Sequence, residues 1–221
     1  MKLYYRQCPS DVLTKLVGNT LDLQLGSWVA GGAARLLWHN TLAPLQKLTK
    51  NRIDGHHDID VFSIDHVQVK ELITQVRDQY HPGSAPDQLD LFSMAVSMVG
   101  SSDDIFETDN AISFNNCLMD EHYYTIQVIK KPRSSLRELF DSFDLINCQY
   151  ATDGRWVVAT QAALESWYEK KLAFNPHCNQ ELNLSRMVKY LSYDLAPNKE
   201  LTRSILKSAV YGRDNGVFDD Y

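Results

Sequence analysis

Ser27-Trp28-Val29-Ala30-Gly31-Gly32-Ala33-Ala34-Arg35-Leu36-Leu37-Trp38 reads as a brief strand that turns through two glycines into a helix of good formers. Missing side chains at Gly31 and Gly32 would let a phosphate approach the backbone. The helix N-terminus beyond them offers free N–H donors and the positive end of a dipole. Arg35, one turn into the helix, would either meet such a phosphate or stand solvated. A Gly-Gly turn alone is often only a turn, and its weight here comes from the strand that follows.

That strand is Asp58-Ile59-Asp60-Val61-Phe62-Ser63-Ile64. Its apolar residues give it a buried look, and acids are poor strand formers, so two of them in this place need a reason. Residues two apart project to the same side, roughly 7 Å between Cα atoms. Two carboxylates that close repel unless something positive sits between them. Mg²⁺ takes carboxylate, phosphate and water oxygens, and two such ions about 3.5–4 Å apart clamp the attacking and leaving oxygens of a phosphoryl transfer. A third acid from an adjacent strand would help hold the ion that activates the acceptor hydroxyl. The plain alternative is an exposed polar strand face. A place for a triphosphate followed by a place for divalent metal points to nucleotidyl transfer.

The 221 residues suffice for one large domain, or for one domain with a helical extension. A net charge of -6 argues against sequence-blind coating of nucleic acid. The charge is uneven, however. Residues 165–213 hold eight Lys and Arg against five acids, so this part is basic while the remainder is acidic. Cys8, Cys117, Cys148 and Cys178 lie far apart without CxxC spacing. Four reduced thiols are expected, rather than a zinc ribbon or a redox dithiol. No secretory apolar region and no run of about 18 apolar residues is present. A soluble, cytoplasmic protein with no membrane partner is the expectation.

Along the chain, Ser10 caps a short helix expected over 11–18. Pro44 and the polar stretch 47–55 make a loop, and His56-His57 precede the acids directly; loop or local hydrogen-bonding roles suit these histidines better than metal ligation. Residues 66–80 place Val67, Val69, Leu72, Ile73, Val76 and Tyr80 at mostly helical spacing. The apolar run 91–99 is strand-like in length. Residues 111–116 and 123–130 read as a strand pair, and Ser134 or Ser135 caps a helix through Ser142. Strands over 145–151 and 155–159 flank the turn Thr152-Asp153-Gly154. From Thr160 the pattern is helical, over about 160–173, 181–193 and 199–212. The fold class is therefore α+β, a mixed β-sheet with flanking helices over 1–159 followed by a C-terminal helical lobe over 160–221 with an acidic tail.

Ala30-Gly31-Gly32-Ala33-Ala34-Arg35 and Asp58-Ile59-Asp60-Val61 resemble the Gly-Gly and paired-acid motifs of the DNA polymerase β-like nucleotidyltransferase superfamily. A second block, Leu136-Arg137-Glu138-Leu139-Phe140-Asp141-Ser142-Phe143-Asp144-Leu145 leading to Cys148-Gln149-Tyr150-Ala151-Thr152-Asp153-Gly154, resembles small enzymes of the poly(A) polymerase and tRNA nucleotidyltransferase head type. In those a helix leads into the strand that holds the third acid. The resemblance implies a catalytic core over 1–159, Mg²⁺ with Mn²⁺ as a substitute, and attack of an acceptor on the α-phosphorus of an NTP with loss of pyrophosphate. It implies Asp58, Asp60 and a third acid as catalytic metal ligands. Phe140-Asp141 and Phe143-Asp144 are near copies; Asp144, at the start of the expected strand, is favoured over Asp141 in the helix. Gly31, Gly32 and Arg35 would bind the nucleotide. Arg186 and Lys189, on one face of an expected helix, match Arg–Lys pairs that reach β- and γ-phosphates in related enzymes. The acceptor would be an RNA 3′ end (tRNA-like), with a protein side chain or a small molecule as alternatives. Leu36 stands where the tRNA-type motif continues with an acid, and the Gly-Ser form of polymerase β itself is absent. A non-catalytic nucleotide-binding module on the same fold is the competing reading.

Overall fold

The structure is a computed structural model that describes residues 1–8, 26–39, 58–81, 104–119, 122–178, 190–191, 195–197, 199 and 201–203. The expected helix over 11–18, the run 91–99, His56, His57, Arg186, Lys189 and most of the C-terminal helical pattern lie outside the described residues. The chain divides into two compact units. One comprises Tyr5–Leu136 with Ala151–Val158, the other Met1–Tyr4, Arg137–Tyr150 and Ala159–Tyr221.

The described residues include a mixed eight-stranded sheet, most of it in the first unit. Its strands are β1 (Leu3–Gln7), β2 (Ser27–Ala30), β3 (Asp58–Ser63), β4 (Ile105–Glu107), β5 (Ala111–Met119), β6 (His122–Ile129), β7 (Tyr150–Thr152) and β8 (Trp156–Thr160), in the order β1-β8-β7-β2-β3-β6-β5-β4. β3 runs antiparallel to β2 and parallel to β6. A parallel pair needs a crossover, and helix α2 (His66–Tyr80) begins it immediately after β3. Helix α1 (Gly32–Trp38) follows β2.

Alternation assigns the two faces. Val29, Ile59, Val61, Ile112, Phe114, Tyr124, Ile126, Val128 and Val157 share one buried cluster with Ala33, Leu36 and Leu37 of α1 and Val69, Leu72 and Val76 of α2. The helices therefore cover this face, and Asp58, Asp60, Thr125 and Gln127 belong to the other. The expected helix over 66–80 has those bounds, and its entry is set by Asp65, whose Oδ1 accepts from the N–H groups of Val67 (2.8 Å) and Gln68 (2.9 Å). Val67, although apolar and in the periodic set, is exposed.

The strand pair expected at 111–116 and 123–130 is longer, and its register shifts between Phe114 and Cys117. The irregularity leaves Cys117 wholly buried in the core, with Sγ donating to the Phe114 carbonyl at 3.3 Å. Burial, with the Asp104 charge adding, pushes this thiol up from 9.0 to about 12. The unfolded chain ionises the same thiol near pH 9. Its contribution to stability is therefore complete below about pH 9 and drains away as pH rises toward 12. Urea midpoints measured between pH 8 and 11 should fall less steeply in Cys117→Ala than in the parent; equal slopes would refute this.

The expected strand over 145–151 is not formed. Leu145 makes a single bridge to Phe174, Ile146–Cys148 is a 3₁₀ turn, and only Tyr150–Thr152 is strand. Side-chain hydrogen bonds set that path. The Asn147 amide donates to the Lys171 carbonyl at 2.9 Å, and its oxygen accepts from the Ala173 N–H at 3.2 Å. Trp167 Nε1 donates to the Asn147 carbonyl at 2.9 Å. Helix α3 (Leu136–Asp141) stops one residue short of Ser142, and helix α4 (Gln161–Tyr168), capped by Thr160 Oγ1, is shorter than the expected 160–173. The chain then enters β9 (Lys171–Leu172), which pairs in parallel with β10 (Ala196–Pro197). The hairpin turn is present. Asp153 Oδ1 accepts from the N–H groups of Arg155 and Trp156, and Gly154, not Asp153, takes the positive φ, 87°.

Candidate functional site

The β2–β3 register sets Ala30 opposite Asp60, so the chain leaves β2 into the glycine turn directly beside that acid. Gly31 has φ 73° and ψ -131°, a conformation nearly closed to other residues. A Cβ built there would lie 3.6 Å from Asp60 Oδ2. The turn and the carboxylate are thus neighbours in the folded unit. Gly31 accepts the first helical bond, from the Arg35 N–H at 3.0 Å, and has no side chain to cap the N–H groups behind it. Those first-turn donors have no partner within the helix itself. Gly32 is exposed, with open space where a Cβ would go.

This contrast makes the two glycines separable. Gly31→Ala should cost about 1–3 kcal/mol through backbone strain, since the space itself is adequate. Gly32→Ala should leave the melting temperature unchanged or slightly raised, because alanine favours the helix. Any loss of triphosphate affinity in Gly32→Ala then reports phosphate contact with the backbone. Calorimetry on both variants checks the pair, and equal stability in Gly31→Ala would remove the strain argument.

Asp58 is exposed and Asp60 half-buried, and the two stand one pleat apart on the same face of β3. On the neighbouring β6, Thr125 lies opposite Asp58 and Gln127 opposite Asp60. The β5 irregularity brings Asn115 against this row, where Thr125 Oγ1 donates to Asn115 Oδ1 at 3.0 Å. Asn115 is the residue that sequence reasoning could not place; polar residues within a strand give no sign that a bulge will re-aim one of them.

Arg35 is half-buried on α1, and its charge reaches His39 at the C-terminus of the same helix. Partial desolvation, then Arg35 and Arg6, hold the His39 imidazole below its usual range. Arg6 Nη1 donates to the Trp38 carbonyl at 2.6 Å, a cation on the helix C-terminus.

Asp144 belongs to the other unit and is 2% exposed. Its Oδ1 accepts from the Leu145 N–H at 2.9 Å, and its carbonyl accepts from the Asn175 N–H at 2.8 Å. It therefore precedes a bridge and a 3₁₀ turn, not the expected strand. Asp141 ends α3, with a long ion pair to Arg137 at 3.7 Å. Among the described residues, no three His, Cys, Asp or Glu side chains gather as a ligand set. Asp58 and Asp60 alone are a donor pair of the kind Mg²⁺ takes when phosphate and water oxygens complete its shell. No helix among the described residues is long and apolar enough to cross a membrane.

A solved structure described as a tRNA-processing enzyme (apo form I) resembles this chain with a TM-score of 0.51 and 11% identity. The likeness covers 95% of this chain and 50% of the other, so the chain spans half the length of that enzyme, and it is one of fold. No curated protein matches. A family model described as Gabija anti-defense 2 family protein matches residues 4–170, and the chain belongs to that family.

Proposed function

We propose that this member of the Gabija anti-defense 2 family is a Mg²⁺-dependent nucleotidyltransferase, moving an NMP from an NTP to an acceptor hydroxyl with release of pyrophosphate. Its core would be a polymerase β-like nucleotidyltransferase domain over 1–159, followed by a helical lobe over 160–221. One observation carries the proposal: the Asp60 carboxylate stands beside the Gly31 turn, with Asp58 on the same strand face. A triphosphate seated on the N–H groups after Gly31 would place its α-phosphorus near both acids. Asp58 and Asp60 would hold Mg²⁺, or Mn²⁺ in its place. When bound, the ion supplies positive charge that lowers the acceptor hydroxyl's pKa and offsets charge growing on the α-phosphoryl oxygens. Arg35, in the same unit as the two acids, would meet the phosphates.

An RNA 3′ end is the favoured acceptor, in keeping with the basic composition of 165–213 and with what the structural neighbour is described as processing. The family's description supplies the setting, in which transfer would serve to counter Gabija defence.

A second reading has an observation of its own. Asp144 is buried and bonded locally, and the side chains beside Asp58 and Asp60 are the neutral Asn115, Thr125 and Gln127. A module that holds a nucleotide without transferring it would look the same. Incubation with each α-labelled NTP, Mg²⁺ or Mn²⁺, and total RNA or lysate protein separates the two. Label in an acceptor, lost in Asp58→Ala and Asp60→Ala, supports transfer. Metal-dependent nucleotide binding that leaves every acceptor unlabelled supports the binding module.

A further inference from the structure

The strand that carries the acids has a neighbour on each side, and the register says which side chains could join them. Ala30 faces Asp60 from β2 and offers no side-chain donor. From β6, Thr125 faces Asp58 and Gln127 faces Asp60. Thr125 is 4% exposed, and its hydroxyl already donates to Asn115 Oδ1. Gln127 is half-buried, as Asp60 is. It lies on the face away from α1 and α2, because its chain neighbours Ile126 and Val128 fill the helix-covered core. One strand spacing, about 4.8 Å, separates it from Asp60. Asp58, Asp60 and Gln127 belong to the same compact unit. Gln127 is thus the facing position from which a side chain can reach the acid pair.

A carboxylate at that position would make three acids. The residue is an amide instead, and among the described residues no three His, Cys, Asp or Glu side chains gather. Two carboxylates with a triphosphate fit one divalent ion, water completing its shell. A second ion about 3.5–4 Å from the first would be repelled by it and would need a further negative donor. An amide oxygen can ligate a hard cation but brings no charge to offset that repulsion. The amide NH₂ brings two donors, which suit phosphoryl oxygens that a third carboxylate would repel.

We infer that Gln127 limits the site to a single divalent ion per nucleotide, by holding with an amide the position that a third carboxylate would fill. The inference rests on the reading of Asp58 and Asp60 as metal donors and settles the number of ions that reading leaves open. Affinity for a hard cation follows the charge of its donor set. Two carboxylates alone therefore hold the ion weakly, and the triphosphate supplies the rest of the negative charge. Metal enters together with the nucleotide, not before it.

The test titrates Mn²⁺ into the full chain and reads free ion by electron paramagnetic resonance, with no turnover. Without nucleotide, Gln127→Glu should bind Mn²⁺ at least about tenfold more tightly than the parent. Gln7→Glu, the same change at an exposed position on the edge strand β1, should match the parent. With one non-hydrolysable α,β-methylene NTP per chain, the parent should take up one ion and Gln127→Glu two. Thermal melts supply a second readout. Without metal, Gln127→Glu should melt below Gln7→Glu, because three acids repel, and Mn²⁺ should raise it by more. Two ions in the parent, or a Gln127→Glu variant that binds Mn²⁺ as the parent does, overturns the inference while leaving Asp58 and Asp60 as metal donors. The parent's count decides alone if the variant does not fold. Uptake of Mn²⁺ with the nucleotide that is unchanged in Asp60→Asn sinks the metal reading itself, and the role of Gln127 with it.

Discussion

Asp60→Asn is expected to lower label transfer by at least about a thousandfold while leaving the fold intact. The substitution keeps the shape of the side chain, so nothing is crowded at the Gly31 turn, where a Cβ would have 3.6 Å to Asp60 Oδ2. What it removes is one of the two negative charges that would hold a cation against the triphosphate. Within the fold those charges repel each other, so the neutral variant should melt close to the parent. Loss of activity without loss of stability is the signature of a functional carboxylate. Asp58→Asn should show the same pattern. Its greater exposure makes its own contribution to stability smaller still. Initial rates with α-labelled NTP, run beside thermal melts, measure both quantities. Full activity in either variant would remove the acid pair from the chemistry.

The largest effect on stability is expected at Asn175, which lies in no helix or strand. Its side-chain amide donates to the carbonyls of Phe143 (2.8 Å) and Phe140 (3.0 Å), with a longer contact to Asp141 (3.3 Å). These carbonyls lie at and just beyond the end of α3, where the helix cannot satisfy them itself. Gln149 Nε2 and the Phe143 N–H also donate to the Phe140 carbonyl, so the cost of losing Asn175 falls mainly on its other contacts. Asn175→Ala should therefore cost about 2–4 kcal/mol, a fall in melting temperature on the order of 8 °C. Asn175→Asp sharpens the test. At pH 8 it sets a carboxylate against carbonyl oxygens and should be at least as damaging as alanine. Lowering the pH protonates that carboxyl, restores one donor and should recover part of the loss. A melting temperature for Asn175→Asp that does not rise, relative to Asn175→Ala, between pH 8 and pH 5 would refute the donor role.

Asn175 also illustrates what sequence reasoning misses. Asn175-Pro176 reads as a break between helices; in the structure it follows β9 and the Phe174 bridge, and most of the helix expected beyond it lies outside the described residues. The partners that make this asparagine a structural hub lie more than thirty residues earlier in the chain. The same holds for Asn147 and Gln149. Both sit in a stretch whose apolar residues suggested a strand, yet Asn147 bonds to Lys171 and Ala173, and Gln149 to Phe140 and Thr160. These four tertiary bonds outweigh a local preference for extended backbone, because each leaves a buried polar group unsatisfied if the strand forms instead.

Short-range chemistry by itself determined the strand 27–30, the glycine turn, the helix after it, the strand of paired acids and the capped helix 66–80. Each depends on steric freedom, on period or on a cap acting within a few residues, and these forces are present in the chain before it folds. Pairing decided the rest. Which strand lies beside the acids, that its facing residues are neutral and that a bulge turns Asn115 toward them all follow from hydrogen bonds between segments distant in sequence. Register is a property of two strands at once, and no single stretch of this chain contains it.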